Sequence, residues 1–144
     1  MTMNQQQQQS GYKKPLPGIT PDNKAFWDYM KQHEFRVQKC KTCGELFYPP
    51  SAACYNDLST DFEWVKLSGK GKVYSFVIVR RAGMPAFAEE IPYIVAIIET
   101  EEGIRYSSNI IDCNIEDVYV DMPVEIVFED VTEDFTLPKF KPAK

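Results

Sequence analysis

Cys40-Lys41-Thr42-Cys43-Gly44-Glu45-Leu46-Phe47-Tyr48-Pro49-Pro50-Ser51-Ala52-Ala53-Cys54-Tyr55-Asn56-Asp57 is the stretch whose reading decides the fold. Two cysteines two residues apart, followed by Gly44, have the form of a metal knuckle: a tight turn that points both thiolates inward. Gly44 tolerates the positive φ that such a turn requires. Cys54 arrives after a ten-residue, hairpin-like spacer, and Asp57 stands where a four-cysteine ribbon carries its last ligand. Zinc accepts a carboxylate oxygen as well as sulfur, so Cys40, Cys43, Cys54 and Asp57 form a candidate structural zinc site. Two other readings stay open on these residues: a ribbon that has lost its metal, and redox or isolated thiols. A thioredoxin-like CxxC follows a strand and opens a helix, whereas Gly44 and the double proline oppose a helix here.

Working outward, Phe35–Lys39 alternates apolar and polar residues and reads as the first ribbon strand, with Leu46–Tyr48 as its return. Residues 35–61 are therefore expected to form the zinc ribbon, closed by a polar linker from Asp57 to Asp61. Upstream, Thr20-Pro21-Asp22-Asn23 is a helix start, with Thr20 suited to the cap and Pro21 to the first turn. A helix is expected over 20–34, whose Phe26, Trp27 and Tyr29 either pack on the ribbon and β domain of the same chain or in part reach a partner subunit. Residues 1–19 begin with a glutamine run and have little to bury, so a flexible N-terminal segment is expected there.

From Phe62 to the end the texture is all-β. Strands are expected at Glu63–Leu67, Lys72–Arg81, Ile91–Thr100, Ile104–Ile111 and Met122–Asp130, separated by Gly- and Glu-bearing turns. The long strand carries Val73, Ser75, Val77 and Val79 on one face and Tyr74, Phe76 and Ile78 on the other, so both faces are expected to be covered. The pattern predicts a mainly β protein: an N-terminal helix, a zinc ribbon, and over 62–144 a small OB-fold Greek-key barrel with an extended C-terminal tail. The loop 82–90 carries Met84, Pro85 and Phe87, which gain little in water, and is expected to dock on a partner or fold back on the barrel.

The chain has 144 residues, with 44% hydrophobic and 13% aromatic content, enough for one moderate core. Its net charge of −5 argues against general binding to nucleic acid or anionic membranes. With no long apolar run and no apolar signal core, a soluble cytoplasmic protein with reduced cysteines is expected. Catalytic constellations are missing: there is one histidine, His33, with no nucleophile elbow, phosphate loop or dinucleotide fingerprint. Hence no catalytic residue is assigned. Cys113 reads as a half-buried inert thiol and the acidic pairs as solvated turns. Gly69-Lys70-Gly71-Lys72 can touch phosphate with backbone amides and two ammonium groups, and Arg80-Arg81 ends the same strand; the same residues also suit a plain β-turn.

The ordered set Phe26-Trp27, Cys40-Lys41-Thr42-Cys43-Gly44, Phe47-Tyr48-Pro49-Pro50, Cys54, Gly69–Phe76, Pro92–Ala96, Glu102-Gly103, Asp121–Val124 and Leu137–Pro142 resembles the rubredoxin-like zinc-ribbon plus OB-fold family of acyl-CoA-associated accessory proteins. The resemblance departs at Asp57, where the family has its fourth zinc cysteine, and at Asp121, where a glycine is common. It implies a non-catalytic accessory subunit that docks on a thiolase-like or acyltransferase catalytic subunit in a hetero-oligomer and helps shape the CoA channel. It also makes Lys70, Lys72, Arg80 and Arg81 candidates for CoA phosphates, with CoA or acyl-CoA shared with the partner. The rival readings are an accessory partner of an acyl-CoA hydratase, a stand-alone acyl-CoA thioesterase or hydratase, and a single-stranded nucleic-acid-binding OB-fold with Tyr74, Phe76, Tyr93 and Tyr106 as stacking platforms.

Overall fold

The computed structural model describes residues 16–81, 85–87 and 90–143. The expected flexible segment up to residue 15 and the expected docking residue Met84 lie outside them. Helix α1 (Lys24–Lys31) is preceded by a reciprocal turn in which the Thr20 amide donates to Asn23 Oδ1 at 2.8 Å and the Asn23 amide to Thr20 Oγ1 at 3.3 Å. Thr20 thus caps the entry turn, and the helix proper starts three residues past Pro21. His33 takes φ 61° just past the end, and the Glu34 amide reaches back to the Tyr29 carbonyl at 3.0 Å, which closes the helix in the left-handed way usual for glycine.

Strands β1 (Arg36–Cys40), β2 (Leu46–Phe47) and β3 (Phe62–Lys66) form an antiparallel sheet in the order β2-β1-β3. β3 lies beside β1 with Gln38 opposite Trp64, so sheet pairing joins Phe62–Lys66 to the ribbon. The closed barrel follows in the order β4-β5-β6-β8-β7, from β4 (Lys70–Val79), β5 (Tyr93–Thr100), β6 (Arg105–Ile110), β7 (Pro123–Asp130) and β8 (Thr136–Pro142). A short 3-10 turn, Pro85–Phe87, interrupts the β4–β5 connection.

The extended tail is the closing strand of that barrel. β8 pairs along β7 from Thr136 to Pro142, touches β6 in parallel at Phe140, and buries Thr136, Pro138 and Phe140 on one side. Most of its length has a single hydrogen-bonded neighbour, which is where a strand tolerates prolines.

β4 corrects the expected faces. A register shift between Val73 and Ser75 marks a bulge, and beyond it the alternation reverses. Val73 is fully buried, Phe76 and Ile78 pack on the core, and Val77 is 60% exposed. The long strand is therefore not covered on both faces: its Tyr74 and Val77, with Ile97 of the neighbouring β5, keep apolar surface in water.

One core runs through all three parts. Phe26 and Met30 of α1, Phe35 and Val37 around β1, and Val73, Ile94, Ile98, Tyr106, Val124 and Phe140 of the barrel belong to a single buried cluster. Phe26 is its hinge pin, meeting Trp27, Phe35, Tyr48 and Tyr106 with ring centroids 5.0–6.3 Å apart. The helix aromatics thus pack on their own chain, with Trp27 on Phe135 and Tyr29 on Trp64. The Tyr48 and Tyr106 rings lie 5.2 Å apart, and burial holds both phenols above their ordinary range. At the other end of the barrel the Glu101-Glu102 turn does more than meet solvent. It accepts from the Ser68 amide at 2.9 Å and the Ser68 hydroxyl at 3.0 Å, clamping the turn that starts β4. Gly69, at φ 81°, sits in that turn so close to Ile126 that any Cβ would lie 2.5 Å from its methyl group. None of the helices among the described residues is long and apolar enough to cross a membrane.

Candidate metal centre

Two turns with the same backbone geometry hold the four candidate ligands. In the first, the Cys40 amide donates to the Glu45 carbonyl at 2.9 Å and the Gly44 amide to the Cys40 carbonyl at 2.9 Å. In the second, the Cys54 amide donates to the Ser59 carbonyl at 2.8 Å and the Leu58 amide to the Cys54 carbonyl at 2.9 Å. Each turn also aims an amide at its leading sulfur, Cys43 N–H at Cys40 Sγ and Asn56 N–H at Cys54 Sγ, both 3.4 Å. The fifth residue of each is left-handed: Gly44 at φ 79° and Leu58 at φ 62°. Cys54-Tyr55-Asn56-Asp57-Leu58 is thus a second knuckle built like Cys40-Lys41-Thr42-Cys43-Gly44, with a carboxylate in place of the sulfur and a leucine in place of the glycine.

The ligand atoms of Cys40, Cys43, Cys54 and Asp57 all lie within 4.8 Å of one another. A tetrahedron with metal–sulfur bonds of about 2.3 Å and metal–oxygen bonds of about 2.0 Å spaces its sulfurs about 3.8 Å apart and sulfur from oxygen about 3.5 Å. Cys43 Sγ stands 3.7 Å from Cys54 Sγ, and Cys40 Sγ stands 3.5 Å from Asp57 Oδ1. The donor set and spacing fit zinc, and because the knuckles supply all four donors the site has the closed form of a structural centre.

The local charges agree. Amide N–H groups of Cys43 and Thr42 pull the Cys40 thiol below its ordinary pKa. The Ser59 amide, 2.9 Å from Asp57 Oδ1, does the same for the Asp57 carboxyl. Burial pushes the Cys54 thiol up, leaving a metal or a proton to offset that cost. Phe47, Phe62 and the two buried cysteines form a small separate core beneath the site.

Other residues position the knuckles. Buried Gln38 exchanges two hydrogen bonds with the backbone of Ser51, Nε2 to the carbonyl at 2.7 Å and Oε1 from the amide at 2.9 Å. Tyr55 Oη donates to the Pro49 carbonyl at 2.9 Å, and Thr42 and Ser59 hydroxyls meet at 2.9 Å across the knuckles. Sequence reasoning missed Gln38. The one available signal was an amide side chain at the position that shares a strand face with Cys40.

The phosphate candidates divide. Lys70 and Lys72 flank Gly71 and line one open groove of about 510 Å³ together with Glu99, Glu101 and Asp121. Lys72 Nζ is 3.6 Å from Asp121 Oδ1. Arg80 and Arg81 stand past the other end of β4, roughly 25–35 Å along an extended strand, and are exposed. The structure therefore does not gather the four cations around one phosphate group.

Among the stacking candidates, Tyr106 is buried, Phe76 packs inward, and the Arg105 guanidinium lies 3.9 Å from the Tyr74 ring centre. Cys113 Sγ donates to the Asn114 carbonyl at 3.3 Å, and burial with the nearby Asp117 charge pushes its thiol up. His33 Nε2 contacts both Asp130 carboxylate oxygens at 3.0 and 3.1 Å and its ring stacks on Phe128.

Comparison with known proteins places these features in a wider set. Residues 27–63 match the family model described as ChsH2, rubredoxin-like zinc ribbon domain, and residues 64–129 match ChsH2, C-terminal OB-fold domain. A DUF35 domain-containing scaffold protein of Methanocaldococcus jannaschii is 43% identical over 110 residues, covering 75% of this chain and 77% of that protein. A probable enoyl-CoA hydratase alpha subunit of Thermomonospora curvata is 34% identical over 90% of this chain, which spans 40% of that longer protein. The benzoylsuccinyl-CoA thiolase subunit BbsA of Geobacter metallireducens is 38% identical over 69 residues, 46% of this chain and 43% of that protein. Among solved structures, a chain of the Ltp2-ChsH2(DUF35) aldolase superposes with a TM-score of 0.82 at 33% identity, covering 90% of this chain and 100% of that one.

Proposed function

The chain belongs to the DUF35 family of ChsH2-type proteins, a rubredoxin-like zinc ribbon followed by an OB-fold domain, and from that membership we propose that it is a non-catalytic accessory subunit of an acyl-CoA enzyme. The catalytic partner is a thiolase-like or acyltransferase chain. This subunit docks on it and helps shape the channel through which CoA reaches the reacting centre. The observation that carries this reading is the match to the whole of a chain from a structure described as the Ltp2-ChsH2(DUF35) aldolase. The BbsA match supports a thiolase as the kind of partner. The engagement of His33 with Asp130, and of the Cys113 thiol with a backbone carbonyl, is consistent with a nucleophile and base supplied by another chain.

In this reading the metal centre holds Cys40, Cys43, Cys54 and Asp57 together as a structural zinc site. Zinc supplies folding energy to the ribbon and no chemistry. The ribbon and α1 then present a rigid platform beside the barrel. Lys70 and Lys72 are the proposed contacts for CoA phosphates, since they share a groove with the Gly71 backbone; Arg80 and Arg81 are proposed contacts for a separate part of CoA or the partner.

A second reading pairs the chain with an acyl-CoA hydratase subunit, favoured by the hydratase alpha subunit match over 90% of this chain. Purification of the tagged chain from its source, with identification of the stoichiometric companion, separates the two. A thiolase-like companion supports the first reading and a hydratase the second. A chain that elutes alone at the working protein concentration argues against both.

A further inference from the structure

From the disposition of the three sulfurs we propose that the ribbon is an oxidation switch, in which Cys43 and Cys54 close a disulfide across the two knuckles and Cys40 stays a thiol. The inference deepens the metal-site reading and rests on it only for the metal-release part.

Access is unequal among the three sulfurs. Cys40 and Cys54 are 0% and 1% exposed, while Cys43 is the one thiol of the cluster that solvent partly reaches. A hydroperoxide therefore meets Cys43 first. Cys54 Sγ waits 3.7 Å away on the opposite knuckle. The approach to a bond of about 2.05 Å needs only a small closure of two turns that already face each other. Cys40 is held otherwise, with its sulfur beneath the Cys43 amide at 3.4 Å and against Asp57 Oδ1 at 3.5 Å. Because Asp57 replaces the fourth sulfur, the site has three thiols and can close one disulfide; of the two cross-knuckle pairs, Cys43–Cys54 is the one in sulfur–sulfur contact and with a partly exposed member.

The chemistry balances with the hydroperoxide as oxidant. The Cys43 thiolate attacks the terminal peroxide oxygen; the O–O bond breaks, an S–O bond forms, and the leaving oxyanion takes a proton to become an alcohol or water. The Cys54 thiolate then attacks the Cys43 sulfur and expels hydroxide, which is protonated to water. Two thiols lose two electrons to the peroxide. The disulfide removes two of the four donors from the ligand set, leaving Cys40 and Asp57, too few to hold a tetrahedral ion. It also staples the ten-residue segment between the knuckles, so the ribbon keeps its closure in the metal-free state.

The test uses the full chain, reduced and assayed for zinc, then treated with stoichiometric hydrogen peroxide, alkylated and mapped by peptide mass spectrometry. A Cys43–Cys54 disulfide is expected, with a chromogenic chelator reporting metal release in step with it and thiol reductant plus zinc restoring the starting state. In Cys54→Ser, a sulfenic-acid trap is expected to label Cys43 and not Cys40. Cys113→Ser is expected to leave the product unchanged. A Cys40–Cys43, Cys40–Cys54 or Cys113-containing disulfide overturns the proposal. So does conversion of Cys43 to the sulfinic acid without any cross-link. Zinc missing from the reduced protein removes the metal reading alone, since mapping the same sample still decides which sulfurs pair.

Discussion

Removing the Asp57 carboxylate is the perturbation that separates a four-ligand site from a three-cysteine site with an adjacent acid. Structural zinc sites bind with about 10–16 kcal/mol apparent free energy near neutral pH, or about 2.5–4 kcal/mol per ligand if shared evenly. A carboxylate falls at the lower end, and water refills part of the vacated position. Asp57→Ala is thus expected to cost about 1.5–3 kcal/mol, a roughly tenfold to hundredfold loss of zinc affinity. The same carboxylate also accepts the Ser59 amide at 2.9 Å, so Ala additionally unpins the second knuckle. Asp57→Asn retains an acceptor for that amide but is a poor zinc ligand, and it reports the ligand effect by itself. Asp57→Cys, which completes four sulfurs in a knuckle of the right geometry, is expected to bind at least as tightly as the parent chain. Competition against a chromogenic chelator measures all three. Asn and Ala variants within threefold of the parent would refute Asp57 as a ligand.

Leu58 occupies φ 62° with its side chain 77% exposed, so it bears left-handed strain with little burial in return. Leu58→Gly is expected to raise stability by about 0.5–1 kcal/mol in urea unfolding, the relieved strain outweighing glycine's greater unfolded-state freedom; a loss would contradict the second-knuckle geometry. Phe26→Ala removes the ring at the junction of helix, ribbon and barrel, and about 3–5 kcal/mol of stability should go with it, whereas exposed Val77→Ser should stay within about 0.5 kcal/mol. Asp130 is held below its ordinary pKa by the Thr136 hydroxyl and then by His33. Its contribution to stability is therefore present above the unfolded carboxyl pKa, about 3.9, and is lost as pH falls through the lower folded value. Asp130→Asn should be the less stable protein at pH 7, and the gap should close in acid; a gap independent of pH would point to packing.

Much of the site was legible because ligand spacing is local. The interval from Cys40 to Asp57 identified the four donors the structure brings together. The left-handed role of Leu58 was not legible, since no glycine like Gly44 marks the second knuckle and nothing in a leucine announces φ 62°. Gln38 looked like a strand's wet residue, but its amide is matched to the Ser51 backbone deep in the ribbon. In the barrel, strand positions came from alternation and Gly-bearing turns, while a bulge near Tyr74 inverted the faces that alternation predicts. β8 was hidden by Pro138 and Pro142, since its pairing depends on β7, a partner distant in sequence, and on a register that places Phe140 in the core. The separation of Lys70 and Lys72 from Arg80 and Arg81 followed from strand length alone, once β4 was seen to be one continuous strand.

The central claim, that this chain serves a catalytic partner, is tested most directly by turnover of the partner's acyl-CoA substrate. The assay compares the purified chain, the co-purifying catalytic chain, and the two recombined. The account predicts no turnover by this chain, little by the partner, and restored turnover on mixing that saturates at a fixed stoichiometry. Robust turnover by this chain by itself, or partner activity indifferent to its addition, would contradict it.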